Sequence, residues 1–178
     1  MNNIGSSKIL PDIKLFSSTQ HSDLRGVFRK PFFSENLSKN IDEVREVIVS
    51  TSHKNVIRGL HFQIPPQGLS KFITCIEGEV KDVFVDLRKK SSTYLKHDYV
   101  ILSQDNNKSV LIPEGFAHGF SVLSEKASVL YLQSKDYSEV HDKGINPLSL
   151  DIDWGLEDYI ISKKDEMLPS VKEFDSPW

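Results

Sequence analysis

Lys71-Phe72-Ile73-Thr74-Cys75-Ile76, then Glu77-Gly78-Glu79, then Val80-Lys81-Asp82-Val83-Phe84-Val85-Asp86-Leu87: two runs rich in β-branched and aromatic residues flank a turn signal. The same rhythm continues outward on both sides. Glu46–Ser52, Tyr99–Leu102, Ser109–Ile112, Gly119–Leu123 and Ser128–Gln133 read as further strands. Pro65-Pro66-Gln67-Gly68, Asp105-Asn106-Asn107 and Pro113-Glu114-Gly115 punctuate them. Short strands at this spacing predict an antiparallel sandwich or barrel rather than alternating β and α units. Helical signals are few: Ser34 as cap of a short helix over Glu35–Asn40, and one or two turns in the tail from Glu157 onward.

Alternation along the strands assigns faces. Val129, Tyr131 and Gln133 share one face, and Leu130 and Leu132 the other. Tyr and Gln beside Val suggest a wet barrel interior or a sheet surface. Val83, Val85 and Leu87 stand opposite Asp82, Phe84 and Asp86. Two carboxylates on one face belong either in solvent or in a polar pocket, and this strand by itself favours solvent.

The chain has 178 residues, 38% apolar and 26% charged, with a formal net charge of −3. That composition suits one soluble domain, 1–178, with an ordinary core. The charge balance lacks the footprint of a nucleic-acid or anionic-membrane binder. No apolar run approaches the ~18 residues of a membrane span. The start of the sequence lacks the basic and apolar regions of a secretory signal, so a cytoplasmic protein is expected. Cys75 is the single cysteine, set in an apolar run, and reads as a buried inert thiol.

Three segments set polar chemistry among β-formers and glycine: Val56–Gln63, Ile112–Phe120 and Asp23–Phe28. Glycine there permits close backbone approach or unusual dihedrals. Arg58 and His61, in an otherwise apolar run, need partners or solvent. By pattern alone His61 is equally a reactive group or a satisfied structural histidine. The six histidines include no pair separated by one, three or four residues, so a paired-histidine metal site on one strand or helix is not expected.

Arg58-Gly59-Leu60-His61-Phe62-Gln63, Lys71, Gly78-Glu79-Val80, Asp82-Val83, Val85-Asp86-Leu87-Arg88, Ile112-Pro113-Glu114-Gly115-Phe116-Ala117-His118-Gly119-Phe120 and Leu130-Tyr131 together resemble the dTDP-4-dehydrorhamnose 3,5-epimerase family. The resemblance runs from about Asp23 to Pro169. It implies a cupin-type β jelly-roll, usually a homodimer. Such a protein works without metal or organic cofactor on a nucleotide-diphosphate-linked 4-keto-6-deoxy sugar in deoxysugar biosynthesis. His61 matches the family's base, and Asp165 the aspartate that orients it. Tyr131 matches the acid on the far face, and Lys71 a lysine that stabilises the enolate. Arg25 and Arg58 match arginines that clamp the diphosphate; His118 and Tyr137 match further pocket positions.

The residue chemistry fits that task. Imidazole titrates near ~6.5, close to working pH, and suits a base. A phenol near ~10 is protonated at neutrality and can donate. A donor to a developing oxyanion contributes about 3–4 kcal/mol in comparable sites. Each residue also has a plainer reading. Asp165, three places after Ser162, completes a helix capping box; Tyr131 is a packed aromatic, with Tyr137 as the donor; Lys71 is solvated; His118 is a core histidine bonded to backbone.

Three positions depart from the family pattern. Lys30 stands where a base-contacting glutamate is usual, and Glu46 where a glutamine is usual, with Ile48 in place of an asparagine. Thymine offers N3–H between two carbonyls, whereas cytosine offers an N3 acceptor and an amino donor. Lys30 donating and Glu46 accepting therefore suit CDP rather than dTDP; guanine also offers N–H donors to Glu46, though a larger base needs a wider pocket. The alternatives are a 3,4-ketoisomerase on the same fold, whose relatives carry a second histidine where this chain has Gln63, and a sugar-nucleotide-binding cupin without catalysis.

Overall fold

The computed structural model describes residues 2–32, 41 and 43–178. The helix expected over Glu35–Asn40, with its cap Ser34, lies outside them. The strands run β1 (Asn2–Ser6), β2 (Lys14–Ser17), β3 (Gln20–Asp23), β4 (Gly26–Arg29), β5 (Glu46–His53), β6 (Ile57–Gln63), β7 (Lys71–Glu77), β8 (Glu79–Asp86), β9 (His97–Ser103), β10 (Lys108–Ile112), β11 (Phe116–Val122), β12 (Lys126–Gln133) and β13 (Asp142–Gly144), with one helix, α1 (Lys163–Glu166). Each expected strand is present within a few residues of its expected ends. The tail forms its helical turn at α1.

Two antiparallel sheets make the jelly-roll, in the orders β1-β2-β10-β7-β12-β5 and β13-β6-β11-β8-β9; β3 and β4 form a hairpin of their own. Between the sheets lies a core that includes Ile73, Cys75, Phe84, Phe120 and Val129. Burying each such side chain is worth about 1.5–3 kcal/mol. Val83, Val85 and Leu87 face the other way, against Trp154, Phe174 and Trp178 of the C-terminal segment. Both faces of β8 are therefore covered.

That cover overturns the expected exposure of the two β8 carboxylates. Asp82 and Asp86 are fully buried. Asp86 takes two bonds from Arg88, at 2.9 and 2.8 Å, and one from Thr93 at 2.7 Å. Burial raises its pKa, but these bonds outweigh burial and hold it at about 2. A strand's own pattern cannot reveal that a tail from far along the chain covers its Val83 face, which leaves the carboxylate face to the core between the sheets.

Glycine sets the approach of β6 to β11. Gly59 has φ +120°, and a Cβ there would stand 2.6 Å from the Gly119 Cα. A Cβ on Gly119 would stand 2.6 Å from the Arg58 carbonyl oxygen. The register slips between His118 and Phe120, while His118 stays directly opposite His61. Two glycines thus let these strands close up beneath two histidines. No helix among the described residues is long and apolar enough to cross a membrane.

Candidate active site

A cavity of about 390 Å³ opens between the sheets near the end that carries His61 and His118. Its lining includes Arg58, His61, Lys71, His118, Tyr131, Tyr137 and Asp165. Residues spread over more than a hundred positions of sequence therefore meet in one space. Seven of the ten expected site residues are among them.

His61 Nε2 lies 2.7 Å from Asp165 Oδ1. A carboxylate can only accept, so Nε2–H donates and Nδ1 keeps the lone pair. Asp165 is bonded in two directions. Ser162 caps α1, its Oγ accepting from the Asp165 amide at 3.1 Å. The Asp165 carboxylate then crosses to the barrel, where its Oδ2 also accepts from the Gly59 amide at 3.4 Å. Burial raises the Asp165 pKa, but the His61 bond and charge overcome this and hold it below the usual carboxylate value. The dyad aspartate is ionised at neutral pH.

His118 is buried, and its Nε2 lies 2.9 Å from Asp82 Oδ2. Its partner is a carboxylate, not the backbone group expected of a plain core histidine. Burial lowers its pKa against the opposing pull of Asp82, so the ring is neutral. Tyr131 meets it edge to face, with centroids 5.9 Å apart and planes at 76°. Burial pushes the Tyr131 phenol above its ordinary value, and the nearby Asp82 charge adds to this. The phenol is a donor at any working pH.

Lys71 opens β7 but is not solvated: its Nζ donates to the His61 carbonyl at 3.2 Å. Burial lowers its pKa to about 8, partly offset by Asp142 and Asp82. It carries its charge at neutrality and loses it in mild alkali. Arg58 donates from Nε to Ser52 Oγ at 2.8 Å, which steadies an otherwise exposed guanidinium.

The sequence reading missed Asp142, Lys164 and Ser162 as site residues, though they also line the cavity. Lys164 Nζ reaches Asp142 Oδ2 at 3.2 Å, tying α1 to β13. A three-residue strand and a four-residue helix carry too little periodicity to flag such residues. Gln133 and Tyr131 share the wet face that alternation had marked.

Arg25, Lys30 and Glu46 are not brought to the cavity's lining. Arg25 sits in the β3–β4 hairpin, its side chain 90% exposed and paired with Asp23 at 2.6 Å. Lys30 follows that hairpin and lies over the Phe28 ring, 5.8 Å from its centroid. Glu46 begins the β5 row whose later members Ile48 and Ser50 do line the cavity; its buried Oε2 has no hydrogen-bond partner among the described residues. Among the described residues, no group of three or more His, Cys, Asp and Glu side chains is placed to hold a metal ion.

A jelly-roll whose cavity sets a histidine–aspartate dyad beside a charged lysine and a protonated phenol has the equipment of an acid–base isomerase of the cupin class. The family model described as dTDP-4-dehydrorhamnose 3,5-epimerase matches residues 7–173. The enzyme of that name from Methanothermobacter thermautotrophicus is 43% identical over 161 residues, covering 86% of each chain. That of Shigella flexneri is 39% identical over 162 residues, covering 88% of this chain and 89% of its own. The dTDP-6-deoxy-D-glucose-3,5-epimerase of Legionella pneumophila, solved with dTDP-4-keto-L-rhamnose, superposes with a TM-score of 0.91 at 34% identity, covering 97% of this chain and 94% of that one. The chain belongs to the dTDP-4-dehydrorhamnose 3,5-epimerase family.

Proposed function

We propose that the protein epimerises a nucleotide-diphosphate-linked 4-keto-6-deoxyhexose at the carbons flanking the ketone, C3 and C5. The observation that carries this reading is the His61–Asp165 pair at 2.7 Å facing a cavity that also holds Lys71 and Tyr131. His61 Nδ1 takes the proton from the ring carbon. The electron pair moves to the C4 oxygen, where the Lys71 ammonium meets the negative charge. Tyr131 returns a proton to the opposite face, and solvent restores the phenol and relieves the imidazolium. No net proton is gained or lost. The ionised Asp165 holds the imidazole in the tautomer that can act as base and stabilises it when charged.

The reading extends to the residues outside the cavity. The protein acts as a cytoplasmic homodimer in which the β3–β4 hairpin of one protomer reaches the cavity mouth of its partner, carrying Arg25 to the diphosphate. Support comes from the hairpin's apolar side chains left in the open, Leu24, Val27 and Phe28, since such groups on a small projecting element belong against another surface. For the base, the Glu46 Oε2, without a partner among the described residues, is an acceptor suited to a donor from the ligand. Thymine N3–H and the cytosine amino group both supply one, and Lys30 tips the choice to cytosine. Calorimetric competition among CDP, dTDP, UDP and GDP tests this; clear preference for dTDP overturns the cytosine reading.

NMR of dTDP- and CDP-linked 4-keto-6-deoxyglucose with enzyme in D2O tests the activity itself. Deuterium is expected at C3 and C5, with inversion. A protein that binds the nucleotide but exchanges neither position is a binding cupin, not an epimerase.

A further inference from the structure

Gln63 is the cavity-facing group whose chemistry the proton transfers leave unused. It ends β6, is 5% exposed, and has its amide committed on both sides. Nε2 donates to the Gln67 carbonyl at 3.0 Å and to the Asp136 carbonyl at 3.2 Å. Oε1 accepts from the Ser138 amide at 2.5 Å. The residues on either side of Tyr137 are therefore both bonded to one buried side chain. Tyr137 itself is 56% exposed and lines the cavity. A half-exposed ring has little packing of its own to fix it, so its backbone must do so.

Other bonds confine the effect to this loop. Lys135 Nζ donates to the Pro66 carbonyl at 2.9 Å, and Ser138 Oγ bonds His141 Nδ1 at 2.8 Å. Arg45 Nη2 also reaches Asp136 Oδ2 at 3.5 Å, and the Ser138 carbonyl accepts from the His141 and Asp142 amides at 3.0 and 2.8 Å. These hold one flank or the other, whereas Gln63 bonds the backbone on both sides of Tyr137. We propose that Gln63 is the positioning residue for Tyr137: it sets the phenol at the cavity mouth and so governs affinity for the sugar nucleotide without entering the proton transfers. That Tyr137 meets the substrate rests on the functional reading above.

The test is Gln63→Met, close in length and without the amide, beside Tyr137→Ala and the double variant. Amide hydrogen exchange around Ser138 is expected to speed up about tenfold relative to the β6 amides, by loss of a local restraint. KM for the 4-keto sugar nucleotide should rise about five- to tenfold with kcat within about twofold. In the Tyr137→Ala background the same change should alter KM by less than about 1.5-fold, because the two residues act as one unit. Gln63→Glu keeps the acceptor for the Ser138 amide but sets a carboxylate oxygen against the Gln67 and Asp136 carbonyls, so its KM rise should be at least as large; Gln63→Leu carries the comparison if the methionine variant does not fold. Unchanged loop exchange overturns the proposal. So does a fall in kcat at constant KM, or a KM rise that persists without Tyr137. A wild-type protein with no turnover would sink the functional reading alone, since the exchange arm needs no substrate and decides the positioning by itself.

Discussion

The inner end of the barrel and the β3–β4 hairpin both carry residues that the sequence marks as functional, yet they are held in opposite ways. His61 takes its partner from 104 positions away, and His118 from 36. Arg25 takes its partner from two positions away, on the same turn. The first arrangement needs the whole fold; the second needs none of it. Arg29 anchors the base of the hairpin, donating to the Cys75 carbonyl at 2.8 Å and the Gln104 carbonyl at 3.0 Å. Beyond that base the hairpin's charged groups are, among the described residues, bonded only among themselves. An exposed ion pair such as Asp23–Arg25 contributes little to stability. A motif can therefore be complete in the sequence while one chain assembles only part of it.

The comparison breaks first at His61. His61→Ala should lower solvent deuterium incorporation by about 10³-fold or more while leaving thermal unfolding within a few degrees of wild type, since a positioned base contributes roughly 10²–10⁴-fold. Wild-type-like exchange would remove it from the role. Tyr131→Phe comes next. Inversion should fall about 10²-fold, with exchange on the His61 face reduced much less, because the carbanion still forms but lacks its far-face acid. Equal losses in both would show that the two residues do not divide the work.

Most of the inner site was legible only through the family resemblance carried by Arg58–Gln63 and Ile112–Phe120, since by pattern alone His61 stayed undecided; alternation and glycine added the shared face and the close approach. Tyr131 and Gln133 were placed on a wet face by period alone, and Gly59 and Gly119 by the close approach that glycine permits. Asp82 and Asp86 were misplaced because alternation separates the two faces of a strand but does not say whether each is covered. The C-terminal segment covers the opposite, Val83 face, which leaves the carboxylate face turned to the core between the sheets, where His118 and Arg88 supply partners that β8 does not announce. Gln63 was read only for what it lacked, a second imidazole. Its bonds to Gln67, Asp136 and Ser138 join two loops, and loops leave no periodic signal.

At the hairpin the expected effects are smaller and of another kind. Arg25→Ala should raise KM roughly 10–100-fold with kcat nearly unchanged, the equivalent of about 1.5–3 kcal/mol for a hydrogen bond to a charged group. Phe28→Glu should do the same by a different route, shifting the protein toward monomer in sedimentation at micromolar concentration. A KM insensitive to both would mean that the hairpin serves no site, its own or its partner's.

The smallest effect separates the two regions by pH. With Lys71 at about 8, kcat/KM should fall in mild alkali, roughly tenfold by pH 9, as the ammonium that faces the enolate is lost. Unfolding cannot produce that limb. The native Lys71 releases its proton at about 8 and the unfolded chain's lysine only near 10.5, so between those values the unfolded state holds more protons and stability rises with pH. Activity and stability should thus move in opposite directions, measured by exchange rate and by denaturant midpoint on the same samples. Lys71→Arg, which stays charged throughout, should carry the limb upward out of the range; a limb that stays in place belongs to another group. The Arg25→Ala penalty should meanwhile remain constant across the same pH range, because a guanidinium does not titrate there. A barrel residue whose contribution follows pH and a hairpin residue whose contribution ignores it would separate chemistry from grip within one substrate's path.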